Sequence, residues 1–121
     1  MATPLHPYRC FVRHWTLEEA TAALPAVSAK VQRLRELVRA RPSANGSGAR
    51  LDAEIAAILE ELTADGIVVR DVQRGLIDFP ALAPSGETYL LCWLDGEESI
   101  EWWHWPDAGF AGRTPIDEPP T

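Results

Sequence analysis

Apolar residues Ala20, Leu24, Val27, Val31, Leu34 and Val38 are spaced 4-3-4-3-4 along the chain. That spacing sets them on one stripe of an α-helix lying nearly parallel to a partner. Thr16-Leu17-Glu18-Glu19 precedes the stripe and has the form of a capping box, in which hydroxyl and carboxylate satisfy each other's backbone amides. Pro25 falls inside the pattern and predicts a kink, or a restart with little offset, because the stripe keeps its phase across it. The small polar run RPSANGSGAR at 41–50 predicts a connection. Leu51, Ile55, Ile58 and Leu62 then repeat the helical step, Asp52 and Glu54 suit a first turn, and Gly66 is placed for a left-handed cap. Two matched stripes joined by a short link predict an antiparallel helical hairpin over 16–65.

After Gly66 the period changes from helical to alternating. Runs at 67–72, 75–80, 87–94 and 97–105 predict a four-stranded antiparallel β-meander over 67–113, with Gln73-Arg74-Gly75 and Asp95-Gly96 as tight turns. Tyr89, Leu91 and Trp93 point to one side, and Leu90, Cys92 and Leu94 to the other. Both faces are apolar, so both need covering. The hairpin covers one, and a second copy of the chain is expected on the other, which predicts a homodimer. Segment 9–14 is a candidate edge strand. The expected fold is therefore one α+β domain over 1–113, followed by a flexible, proline-rich tail at 114–121.

Composition narrows the class. With 121 residues, 46% apolar and 24% charged, the chain is long enough for one self-sufficient core. It contains no membrane-length apolar run and no signal-like start. Cys10 and Cys92 sit among apolar neighbours, which argues against a disulfide framework and for a cytoplasmic setting. The net charge of −7 is uneven. Residues 25–50 carry six basic side chains against Glu36 alone, whereas 51–121 carry three arginines against fifteen acids. Such asymmetry predicts pairing within the molecule or between subunits, for example Arg33, Arg35 and Arg39 with Glu54, Glu60 and Glu61. A net basic footprint is lacking, so nucleic acid is not an expected partner.

The segments WTLEEATAALPAV, VVRDVQRGLIDFPAL, GETYLLCW and WWHWPDAGFAGRTPI resemble the small prokaryotic family called domain of unknown function 2203. The resemblance extends over most of the chain and rests chiefly on the C-terminal pieces. It implies the two-part α+β layout and no particular reaction. The family-like polar positions are Asp71, Arg74, Asp78, Glu87, Glu97, His104, Asp107 and Arg113.

The stretch EWWHWPDAGFAGR at 101–113 concentrates the candidate chemistry. His104, Asp107 and Asp78, with Asp71 or Glu87 in support, form a histidine–carboxylate set suited to a divalent transition metal. No HExxH, paired histidine or cysteine cluster accompanies them. The alternatives are structural: an Asx-turn at Asp107, and for His104 an imidazole bonded to a carboxylate or carbonyl. Arg74 and Arg113, with Trp103 or Trp105 as a stacking wall, form a possible anion site. The alternative for Arg113 is an ion pair with Asp78 or Asp107. Nucleophilic catalysis and phosphate-loop chemistry lack their motifs. Two functions follow: a non-enzymatic homodimeric accessory or binding protein, or a metal-binding module or metal-dependent enzyme centred on His104.

Overall fold

The computed structural model describes residues 13–43, 46 and 48–121. Helix α1 runs Leu17–Ala40, helix α2 Gly48–Ala64, and strands β1 Val68–Asp71, β2 Leu76–Leu82, β3 Thr88–Leu94, β4 Trp102–His104 and β5 Thr114–Pro115 follow. The sheet order is β1-β2-β3-β4-β5, and each neighbouring pair is antiparallel. The chain is thus the expected α+β fold, a helical hairpin on a meander, with a fifth strand added. Segment 9–12 of the candidate edge strand lies outside the described residues, as does Cys10. Arg13 and His14 are not in a strand, although the Trp15 amide bonds the Pro80 carbonyl at 2.6 Å.

The capping box forms as predicted. Glu19 N donates to Thr16 Oγ1, and Thr16 N donates to Glu19 Oε1, each at 3.0 Å. Pro25 lies within one uninterrupted helix. The residue is exposed, on the side opposite the buried stripe, so water can satisfy the carbonyl that loses its partner. The buried stripe of α1 is Ala20, Leu24, Val27, Val31, Leu34 and Leu37. It packs with Ile58 and Leu62 of α2 and with Ile77, Phe79, Ala81, Leu91, Trp93 and Trp103 of the sheet in one core. The basic charges of α1 pair internally: Arg33 with Glu54 at 2.9 Å, and Lys30 with Glu61 at 3.5 Å. Arg35 instead reaches the sheet, donating to the Gln73 carbonyl and to Asp95 at 2.7 Å. One arginine so clamps the β1–β2 and β3–β4 turns to the helix.

Gly75 lies under that clamp with φ +72°. A Cβ there would sit 2.7 Å from Asp95 Cβ and 2.9 Å from Arg35 Cδ. Gly75→Ala is expected to cost about 2–4 kcal/mol, from the left-handed backbone and overpacking together. Gly96 has φ +108° but open space around it, so Gly96→Ala should cost only about 1–2 kcal/mol. Urea denaturation of the two variants checks the difference.

Two expectations about the C-terminal third need correcting. The Asp95-Gly96 turn closes, with Glu97 N donating to Leu94 O at 2.9 Å, but no strand continues from it. Instead Glu97 turns inward: its carboxylate accepts the Leu94 amide at 2.8 Å and its carbonyl accepts Trp93 Nε1 at 3.0 Å. Pairing with β3 resumes only at Trp102, opposite Cys92. The expected tail is also tied down. Thr114 and Pro115 pair with Trp103 and Trp102, Ile116 N donates to Glu101 O, and Trp103 Nε1 donates to Glu118 O. The short β4 would otherwise expose unpaired backbone groups and leave a buried indole without an acceptor.

Candidate functional site

The sheet face away from the helices carries Leu76, Asp78 and Pro80 of β2, Leu90 and Cys92 of β3, and Trp102 and His104 of β4, as the registers require. All but Trp102 are buried in a single chain. Leu82, at the end of β2 on the same face, is 56% exposed, so the face is closed over its centre and open at that edge.

Within this face the structure joins three side chains. Asp78 and Cys92 are directly opposite on β2 and β3, and His104 lies one diagonal further along β4. Their relative exposures are 0%, 1% and 2%. The ligand atoms of the three groups lie within 4.8 Å of one another. His104 Nε2 is 3.1 and 3.2 Å from the two carboxylate oxygens of Asp78, and Nδ1 is 2.7 Å from the Trp105 carbonyl. A carbonyl can only accept, so Nδ1 carries a hydrogen. In a neutral ring Nε2 would then present a lone pair to an anion, so protonation relieves the contact. Burial opposes the imidazolium, but the Asp78 carboxylate and the Trp105 carbonyl outweigh it and raise the His104 pKa. Arg70 lies at the rim, 3.3 Å from Asp78 Oδ2. Burial, reinforced by the Asp78 charge, pushes the Cys92 thiol up to about 12, which removes it as a nucleophile at neutral pH.

The other predicted metal ligands are elsewhere. Asp107 is exposed on the turn after β4. Asp71 accepts the Arg74 amide at 3.1 Å and so caps the β1–β2 turn. It stands three residues from Val68, the partner of Asp78, or roughly 10 Å along the strand. Glu87 is exposed ahead of β3, five residues from Cys92 and roughly 17 Å away. Cys92 gives no signal in the sequence, because between Leu91 and Trp93 it has the pattern of ordinary core. A lone aspartate inside LIDFPAL was the available signal, since a buried carboxylate must have partners.

Arg74 and Arg113 do converge, but around Phe110. Their guanidinium carbons lie 4.8 and 4.6 Å from its ring centroid, and Arg113 also lies 5.3 Å from the Trp102 ring. Trp103 faces the helices, edge-on to Tyr89 and Trp105, because alternation sends it to the opposite side from Trp102. Arg113 is taken by a bidentate pair with Glu97, two contacts of 2.8 Å, and by the Cys92 carbonyl at 3.4 Å. Its structural partner is Glu97 rather than Asp78 or Asp107. Glu97 takes the Leu94 amide, two residues beyond the last β3–β4 pair at Cys92, and Arg113 adds a contact to the Cys92 carbonyl. The ion pair thus stands in for a missing strand. Burial would raise the Glu97 pKa, but Arg113 and the Leu94 amide hold it below the usual carboxylate range.

The architecture is that of a small α+β protein with a buried acid–thiol–imidazole cluster and an arginine–aromatic patch around Phe110. A family model described as an uncharacterized conserved protein, DUF2203, matches residues 41–116, more than half of the chain, and the chain belongs to that family. No curated protein and no solved structure gives a significant match. No helix among the described residues is long and apolar enough to cross a membrane.

Proposed function

We propose that this chain is a non-enzymatic binding protein that docks a carboxylate-bearing protein partner on the patch formed by Arg74 and Phe110. The observation that carries this reading is the Phe110 ring, 36% exposed and flanked by two guanidinium groups. Arginine and aromatic side chains are the enriched anchors of interface centres. Arg113, already bidentate to Glu97, holds the ring in place, and Arg74 is left to meet an anion. The sealing of Asp78, Cys92 and His104 from solvent supports a non-catalytic role, since a general acid or base must reach its substrate. The free thiol of Cys92 suits a reducing cytoplasm.

Titration of the labelled protein with a glutamate-rich peptide tests this. Shifts confined to Arg74, Phe110 and their neighbours, weakened by salt and abolished in Arg74→Ala/Phe110→Ala, are expected. Shifts absent at millimolar peptide, or spread over the helices, would sink the reading.

A further inference from the structure

The buried cluster on the sheet has a feature that partner docking does not use. Three donors of different chemistry converge from three adjacent strands: a carboxylate at Asp78, a thiol at Cys92 and an imidazole at His104. Strands hold such positions more tightly than loops. The Trp105 carbonyl bonds Nδ1, so Nε2 is the nitrogen aimed at the cluster, and loss of its proton frees a lone pair there. This is the carbonyl–imidazole arrangement that orients metal-bound histidines. Across from Nε2 stand both oxygens of Asp78 in direct contact, so a metal ion taking the place of the shared proton meets one nitrogen and one anionic group.

We propose that Asp78, Cys92 and His104 bind one thiophilic divalent transition ion of the zinc or cobalt type. The reading is independent of the partner-docking proposal. One sulfur, one nitrogen and one oxygen donor match this class and do not match magnesium or calcium, which take all-oxygen sets. Zinc bonds of about 2.0–2.3 Å put ligand atoms roughly 3.3–3.8 Å apart. The separations here are at most 4.8 Å, so closing the set needs a contraction of roughly 1.0–1.5 Å at most, and the Nε2–Asp78 contact of 3.1 Å opens slightly. Two anionic donors, carboxylate and thiolate, match the ion's charge. Arg70 contacts Oδ2 of Asp78, which leaves Oδ1 as the metal-facing oxygen. A water completes the tetrahedron. The three donors are almost wholly excluded from solvent, and this points to an ion that holds the sheet rather than one that turns over substrate. On binding, His104 Nε2 and the Cys92 sulfur donate to the ion, and their protons leave to solvent.

Cobalt(II) added to the full-length, chelator-treated protein tests the assignment. One ion per chain is expected, with a thiolate-to-cobalt charge-transfer band in the near ultraviolet. Cys92→Ser should abolish that band, while Cys10→Ser should leave it intact. His104→Ala should weaken binding at least about 100-fold. The wild-type spectrum alone keeps the test decisive if a variant fails to fold. Absence of the band in wild-type protein at saturating cobalt, or a band that survives Cys92→Ser, would overturn the site.

Discussion

Asp78→Ala is expected to destabilise the metal-free protein by about 3–5 kcal/mol, the usual cost of removing one partner from a buried charge pair. Asp78 is fully buried and serves both His104 Nε2 and Arg70. Its loss leaves an imidazole nitrogen without a partner inside the sheet. Against a total stability of roughly 5–15 kcal/mol, that is a large fraction. The pair also predicts a pH dependence. The His104 pKa is raised on folding, so its contribution is fully present below the ordinary imidazole value and is lost as pH rises through the raised one. Wild-type stability should therefore decline on this account above about pH 6.5, and the Asp78→Ala penalty should shrink in the same direction. Urea denaturation in chelator across this range measures both. A penalty that is independent of pH would show that the pair is not ionised.

Glu97→Ala is expected to cost about 2–4 kcal/mol, because it strips a buried guanidinium of its partner and uncovers the Leu94 amide. The side chains of Arg113 and Glu97 are 11% and 23% exposed, so solvent does little to compensate. Combining Glu97→Ala with Arg113→Met should cost less than the sum of the single changes, as coupled residues do. Hydrogen exchange at the Leu94 amide should accelerate in Glu97→Ala and be unaffected by Asp78→Ala. Here the pH sign is opposite. The depressed Glu97 pKa means that stability from this pair is present above the ordinary carboxylate value and is lost as pH falls through the depressed one. The two ion pairs thus place their losses on opposite limbs of the stability profile.

Much of the fold was legible because local chemistry and global packing agree. The Thr16–Glu19 cap, the phase of the α1 stripe, the left-handed cap at Gly66 and the in–out alternation of β3 are all decided within a few residues of chain. The candidate site was half legible. Asp78 and His104 carry their polarity openly within apolar strands, and the resemblance carried by the C-terminal motifs pointed to the same family. Cys92 was not legible, since a cysteine between leucine and tryptophan has the pattern of ordinary core. Consecutive strands and closeness along the chain group Glu87 and Asp107 with the cluster in the sequence. Register sets Asp71 and Glu87 apart along their strands, and Asp107 is exposed on the turn after β4.

Local sequence, then, determined the elements, their caps and which side of the sheet each residue faces, because helix and strand periodicities are properties of the backbone. Register and edge completion were decided only in three dimensions. Cys92 meets Asp78 because two strands pair at one offset and not at another. Glu97 and Arg113, sixteen residues apart, meet because β4 starts late and leaves backbone groups that must be satisfied. A buried donor or acceptor takes whatever partner the folded chain brings within reach, and sequence distance does not enter into that choice.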